Sequence, residues 1–192
     1  KADLVGDGRV VGVAHEAGLL FVSPGQVNYE MPSAVPVGSA TVTVRNGSGG
    51  VSTAQVQIAA VAAGLFTANA NGQGVPAAQA VRVRADGVQE ILPVFECLAG
   101  PGSCTPVRVG LGAATDRVFL ILYGTGLRGA RAVSATIGNV ACEVTYAGAQ
   151  GQYSGLDQVN VLLSRQLAGR GTLTLQLTAD TKPANAVTVR IE

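Results

Sequence analysis

The chain has 192 residues, a formal net charge of +1, 47% apolar residues and only 13% charged ones, a composition that suits one large or two small cores and excludes a disordered tail. Its arginines and lysines are scattered without interleaved aromatics, which argues against a nucleic-acid partner. The longest apolar run, at 58–66, falls far short of the roughly twenty residues that cross a membrane as a helix, so no membrane insertion is expected.

Lys1-Ala2-Asp3 precedes a glycine-rich strand pattern rather than an apolar leader, so the sequence reads as a mature or trimmed product. "RVVGVA" (9–14) and "GLLFVS" (18–23) are predicted strands. His15-Glu16, in "HEAG" between them, is predicted on a turn and lacks the second histidine of a zinc-protease motif. After "QVNYEMP", "SATVTVRN" (39–46) and "STAQVQIAA" (52–60) alternate apolar with polar or small residues, the period of half-buried strands. Asn46-Gly47-Ser48-Gly49-Gly50 turns one into the other, and although "NGS" matches a glycosylation acceptor, the hairpin accounts for it. "AGLFTANANGQG" (63–74) breaks the alternation and marks a boundary, giving a first module of 1–64 and a second of 65–192.

"QAVRVRADG" (79–87) is the next strand. Cys97 and Cys104 bracket the turn-forming "LAGPGS", a spacing that closes a small disulfide ring and implies an oxidising compartment. A metal centre there would need further ligands, and the single histidine is His15. "RVFLILYG" (117–124) is apolar on both faces, as a central strand covered on both sides must be, and "YGTGLRG" (123–129) lacks a P-loop lysine and reads as a turn. "AVSATIG" (132–138), "ACEVTY" (141–146), "QVNVLL" (158–163), "GTLTLQLTAD" (171–180) and "AVTVRI" (186–191) complete the strands, with one short helical turn expected near Ser164–Leu167. Cys142 alternates with Val140 and Val144, which reads as a buried free thiol or, more sharply, an intermolecular bridge. Asp86, Asp116, Asp157 and Asp180 fall at turns, and a calcium site would require Asp116 and Asp157 to meet. No nucleophile elbow, carboxylate pair or cofactor motif appears, so a non-enzymatic protein without cofactor is expected.

Gln26-Val27-Asn28 returns as Gln158-Val159-Asn160. After each copy come a loop ending in glycine, a strand, a turn and a final strand. Gly38 matches Gly169, "TVTV" matches "TLTL", and "AQVQI" matches "AVTVRI". Two modules follow. Upstream, "RVVGVA" and "GLLFVS" match "VSATIG" and "CEVTY", but nothing before Gln26 matches "VFLILYGTGL". The first module is therefore short of a strand, which leaves backbone groups to be satisfied by an upstream segment, by residues 75–95, or by a neighbouring molecule. Within each triplet the two amides share one face. They either brace loop backbone at the inter-module seam or form a platform for sugar hydroxyls, with Tyr29 or Tyr153 as a stacking face. The absence of tryptophan thins that second reading.

"LLFVSPGQVNYEMP", "AAGLFTANANGQG", "LILYGTGLRG" and "LDQVNVLLSRQLAGRG" together resemble the C-terminal domain of large secreted proteins of Solibacter-type Acidobacteria. Its half-domains are similar to the IPT/TIG branch of immunoglobulin-like sandwiches, whose strand-and-turn glycine motif "YGTGL" resembles. The resemblance implies an extracellular or cell-surface module with no assigned chemistry. The expectation is thus an all-β chain of two tandem immunoglobulin-like sandwiches, the first short of a strand. Its function would be structural, with copies chaining into a filament by strand complementation or engaging other surface proteins; a carbohydrate-binding or adhesive module is the alternative.

Overall fold

The computed structural model describes residues 2–6 as backbone, and 13–98 and 102–192 in full. The chain is all-β, with no α-helix among the described residues. It divides into two compact units, Lys1–Ala60 and Val61–Glu192.

The first unit contains β1 (Ala2–Gly6), β2 (His15–Ser23), β3 (Gln26–Glu30), β4 (Gly38–Arg45) and β5 (Val51–Ile58). They form one antiparallel sheet in the order β3-β2-β1-β4-β5. The alternation of 39–60 folds as the β4–β5 hairpin. Its turn is tied by Asn46, whose Oδ1 accepts from the backbone N–H of Ser48 (3.1 Å) and of Gly50 (2.7 Å). Two expectations change here. His15 and Glu16 open β2, opposite Leu4 and Asp3, instead of forming a turn, because a sheet exposed on one side tolerates polar residues. Of "RVVGVA", residues 9–12 lie outside the described residues, and the strand beside β4 is Ala2–Gly6.

The second unit contains β6 (Gly64–Leu65), β7 (Ala78–Val83), β8 (Gln89–Pro93), β9 (Phe95–Cys97), β10 (Cys104–Pro106), β11 (Arg108–Val109), β12 (Arg117–Thr125), β13 (Val133–Ile137), β14 (Val140–Ala149), β15 (Asp157–Leu162), β16 (Gly171–Ala179), β17 (Lys182–Pro183) and β18 (Val187–Ile191). The short helical turn is a 3-10 turn, Arg165–Leu167, capped by Ser164. The main sheet runs β11-β18-β16-β13-β14-β15-β12-β7-β8, with β6 added to β12 and β17 to β16. It curls until its ends nearly meet, where the Val107 N–H donates to the Val94 carbonyl at 3.0 Å. Leu120, Leu122, Val159, Val161, Leu175 and Leu177 fill the interior with no exposed surface. β12 is apolar on both faces because it is a central strand: Ile121, on its outer side, is only 8% exposed. Val61 and Leu65 also belong to this core, so the division falls after Ala60, a little before the 64/65 boundary read from the alternation.

Cys97 and Cys104 stand opposite one another on β9 and β10 and are disulfide-bonded. Asn69 holds the hairpin, accepting from the Cys104 N–H at 2.7 Å and donating to its carbonyl at 3.2 Å. Reduction breaks the crosslink that restricts this short loop in the unfolded chain, so it is expected to cost the second unit about 2 kcal/mol. Denaturant midpoints with and without reductant, beside a Cys97→Ser/Cys104→Ser variant, measure this.

Candidate functional site

The two units share one pairing scheme. The order β3-β2-β1-β4-β5 is also the order β15-β14-β13-β16-β18 in the second unit. Register agrees residue by residue: Gln26, Val27 and Asn28 face Ser23, Val22 and Phe21, while Gln158, Val159 and Asn160 face Gly148, Ala147 and Tyr146. Both β2 and β14 carry one extra residue at the same place, Leu20 and Thr145, a bulge that turns the strand from one partner to the next. Beside the bulge the triplet makes the same bond twice. Gln26 Nε2 donates to Asn28 Oδ1 at 2.7 Å, and Gln158 Nε2 donates to Asn160 Oδ1 at 2.8 Å. The amides thus clasp each other along one strand face, where bracing of loop backbone at a seam was expected.

Register also revises two sequence matches. Gly38 and Gly171 each face the last residue of the final strand, Ile58 and Ile191, so Gly171 rather than Gly169 is the counterpart. The intervening loop, 31–37 in the first unit and 163–170 in the second, is longer in the second, and that slipped the glycine match. β1, rather than "RVVGVA", takes the place of β13.

The units differ at one edge. In the second, β12 lies along β15, from Phe119 opposite Leu162 to Gly124 opposite Asp157. Among the described residues no strand occupies that edge of β3. Residues 75–95 do not supply it, since β7 pairs with β12 and β8 with β7. The apolar face beneath is less covered at one position: Leu19, in the place of the half-buried Val144, is 44% exposed, whereas Val22 is exposed as its counterpart Ala147 also is. Val27 and Tyr29 are half-buried where Val159 and Val161 are fully buried.

Tyr29 shares the face of Val27, opposite to Gln26 and Asn28, because side chains alternate along a strand. Tyr153 sits 69% exposed in the 150–156 loop, its N–H donating to Gln150 Oε1 at 3.3 Å. The aromatics that do share a face with Gln158 and Asn160 are Tyr123 and Tyr146, their direct cross-strand partners. Tyr123 comes from β12, three strands earlier in the chain, and Tyr146 from the preceding strand β14, and which residues they face is set by register rather than by any motif.

The carboxylates divide as local chemistry dictates, with one exception. Asp86, Asp116 and Asp180 accept from the backbone N–H groups of Val88, Ala113, and Arg131 and Ala132. Asp157 is fully buried. It accepts from the N–H of Leu127 (2.7 Å), the N–H of Arg128 (3.2 Å) and Arg128 Nε (2.7 Å), and so pins the "YGTGL" turn. Asp116 and Asp157 lie near opposite ends of β12, on the order of 20 Å apart, so they form no common calcium site. Among the described residues no group of three histidines, cysteines or carboxylates converges on one point.

Cys142 is a free, buried thiol. It lines a shallow cleft of about 420 Å³ with Asp116, Glu143, Ser164 and Arg165. The Arg165 guanidinium donates to the carbonyls of Leu111, Gly112 and Asp116, so its role there is to hold the loop before β12. No described helix is long and apolar enough to cross a membrane. No family model, no curated protein and no solved structure matches the chain.

Proposed function

We propose that the chain is a non-enzymatic structural module of a secreted or cell-surface protein, built of two immunoglobulin-like units, and that its first unit is completed by a β-strand supplied in trans. The observation that carries this reading is the vacant edge of β3, set against the β12–β15 pairing of the otherwise matching second unit. An edge strand above a partly uncovered apolar face is a template for strand addition. The disulfide supports an oxidising, extracellular setting. If copies of the chain satisfy one another, the contact is heterologous and propagates into a filament; otherwise a different surface protein fills the edge.

Electron microscopy of the purified chain, with amide hydrogen exchange of β3, tests the reading. Fast exchange of β3 relative to β15 in isolated chains, slowing on assembly, is the expected result. A clean monomer whose β3 amides are already as protected as those of β15 would end it. The glycan-binding alternative has one observation in its favour, Tyr123 and Tyr146 flanking Gln158 and Asn160. Loss of glycan-array binding on Tyr146→Ala, but not on Tyr153→Ala, is its signature.

A further inference from the structure

We infer that the outer face of the second unit binds a neutral pyranose sugar, its ring stacked on Tyr146 and two neighbouring hydroxyls held by Gln158 and Asn160. This rests on the glycan reading above and is independent of strand completion in the first unit. It adds the platform, the hydrogen-bonding pair and the class of sugar. Tyr146 follows the bulge of β14 and stands opposite Asn160, with Gly148 opposite Gln158. Its ring lies along its own strand over Gly148: a β-carbon there would stand 3.2 Å from the Tyr146 hydroxyl and 3.5 Å from Cζ. The hydroxyl donates to the Ala149 carbonyl and ties the ring down. Tyr146 is still 42% exposed, so the ring offers a fixed apolar surface beside two carboxamides.

The two units separate what the fold requires from what it does not. The Gln–Asn clasp occurs in both. In the first unit, however, Phe21 takes the place of Tyr146 and Ser23 that of Gly148. Phenylalanine has no hydroxyl to tie, and serine carries the β-carbon that the ring would crowd. Gly148 has no left-handed φ, so its backbone does not call for glycine; the ring uses the space above it. The tied ring therefore belongs to the second unit alone, beyond what the shared pairing scheme demands.

The clasp spends Gln158 Nε2 on Asn160 Oδ1. Among the described residues it leaves Gln158 Oε1 and Asn160 Nδ2 without a partner, and both reach solvent. One acceptor beside one donor matches two neighbouring sugar hydroxyls, the first donating to Oε1 and the second accepting from Nδ2. Tyr123, opposite Gln158 on the other side, adds a hydroxyl that accepts from Gln79 Nε2 at 3.5 Å and keeps its own proton to donate. The residues directly opposite the clasp, Tyr123, Ile121, Gly148 and Tyr146, are all uncharged, which suits a neutral sugar over a uronic acid. The patch spans three strands and two rows of side chains, about 10 Å by 7 Å. That is room for one or two sugar rings, far below the roughly 800 Å² that each partner buries in a stable protein interface.

Titration of the full chain with cellobiose, lactose and xylobiose, and with digalacturonate as the acidic comparison, decides the matter, with saturation-transfer NMR recording which sugar protons meet the protein. A neutral disaccharide should bind more tightly than digalacturonate, with the ring C–H protons of one sugar face saturated. Tyr146→Phe keeps the ring and should bind within about threefold of the parent chain, whereas Tyr146→Ala and Asn160→Asp should each weaken binding about 10-fold. Asn160→Asp retains the acceptor that the clasp needs and removes the donor. Gly148→Ser, the residue the first unit carries there, displaces the ring without removing it and should weaken binding in the same direction. Neutral-sugar binding that survives Tyr146→Ala, Asn160→Asp and Gly148→Ser unchanged would overturn this site while leaving glycan binding standing. Equal or tighter binding of digalacturonate would overturn the neutral class. If no disaccharide binds, this inference and the glycan reading both fail, and strand completion is untouched.

Discussion

Replacing Gly126 with alanine is expected to destabilise the second unit by about 4 kcal/mol, lowering its thermal midpoint by on the order of 10 °C. Gly126 has a φ of 73°, a left-handed conformation that costs a side-chain-bearing residue roughly 1–2 kcal/mol. A β-carbon there would also overlap the carbonyl oxygen of Ala62, and one on Gly124 would overlap that of Gly64. Both obstacles are backbone atoms, which move only by breaking the bonds that hold β6 to β12. The Ala62 N–H donates to the Gly126 carbonyl at 3.1 Å, and the Phe66 N–H to the Tyr123 carbonyl at 2.9 Å. Gly110→Ala, at a site with no atom within 4 Å and no left-handed φ, should change stability by less than ~0.5 kcal/mol. Scanning calorimetry of the two variants separates the close approach from a general glycine effect. An unshifted midpoint for Gly126→Ala would show that β6 does not press on this turn.

Asp157→Ala carries the next largest expected cost, about 3 kcal/mol. The carboxylate is fully buried and takes three hydrogen bonds from Leu127 and Arg128. Removing it strands the buried Leu127 N–H, and that desolvated donor is the main loss. The Arg128 side chain is 44% exposed and can turn to solvent, which holds the total below that of a wholly buried pair. Asp157→Asn keeps one acceptor and should lose about half as much. Both substitutions act on the turn that Gly126 shapes, so the double variant Gly126→Ala/Asp157→Ala should be less destabilised than the sum of the singles. Urea midpoints at constant slope test all three, and strict additivity would show that Asp157 does not act through the turn.

Much of the strand inventory was legible because it depends on neighbours in the chain. Alternation locates β4, β5, β7, β13 to β16 and β18 to within a few residues, an unbroken apolar run locates β12, and Ser164–Leu167 reads as the one helical turn. Cys97 and Cys104 were paired by spacing alone. The strands β9 to β11 left no signal, since pieces of two or three residues are too brief for a period to show, and β8, Gln-Glu-Ile-Leu-Pro, does not alternate. At the candidate site, Gln26, Asn28, Gln158 and Asn160 were found by repetition. What they do was not, because a carboxamide bonds equally well to a loop or to its neighbour two residues on.

Sequence by itself determined the period of two, the turns, the disulfide spacing, the repeated triplet and the lack of a first-unit match to "VFLILYGTGL". Each of these is fixed by side-chain alternation, backbone preference or direct comparison of residues. Tertiary structure decided which strands are neighbours: that Ala2–Gly6 stands for β13, that residues 75–95 serve β12, that Tyr29 faces the interior, and that Asp157 reaches across to Leu127 and Arg128. The physical reason is that inter-strand hydrogen bonds join identical backbone groups and carry little residue identity. Partner choice therefore emerges only when burial of the whole sheet selects one register among many.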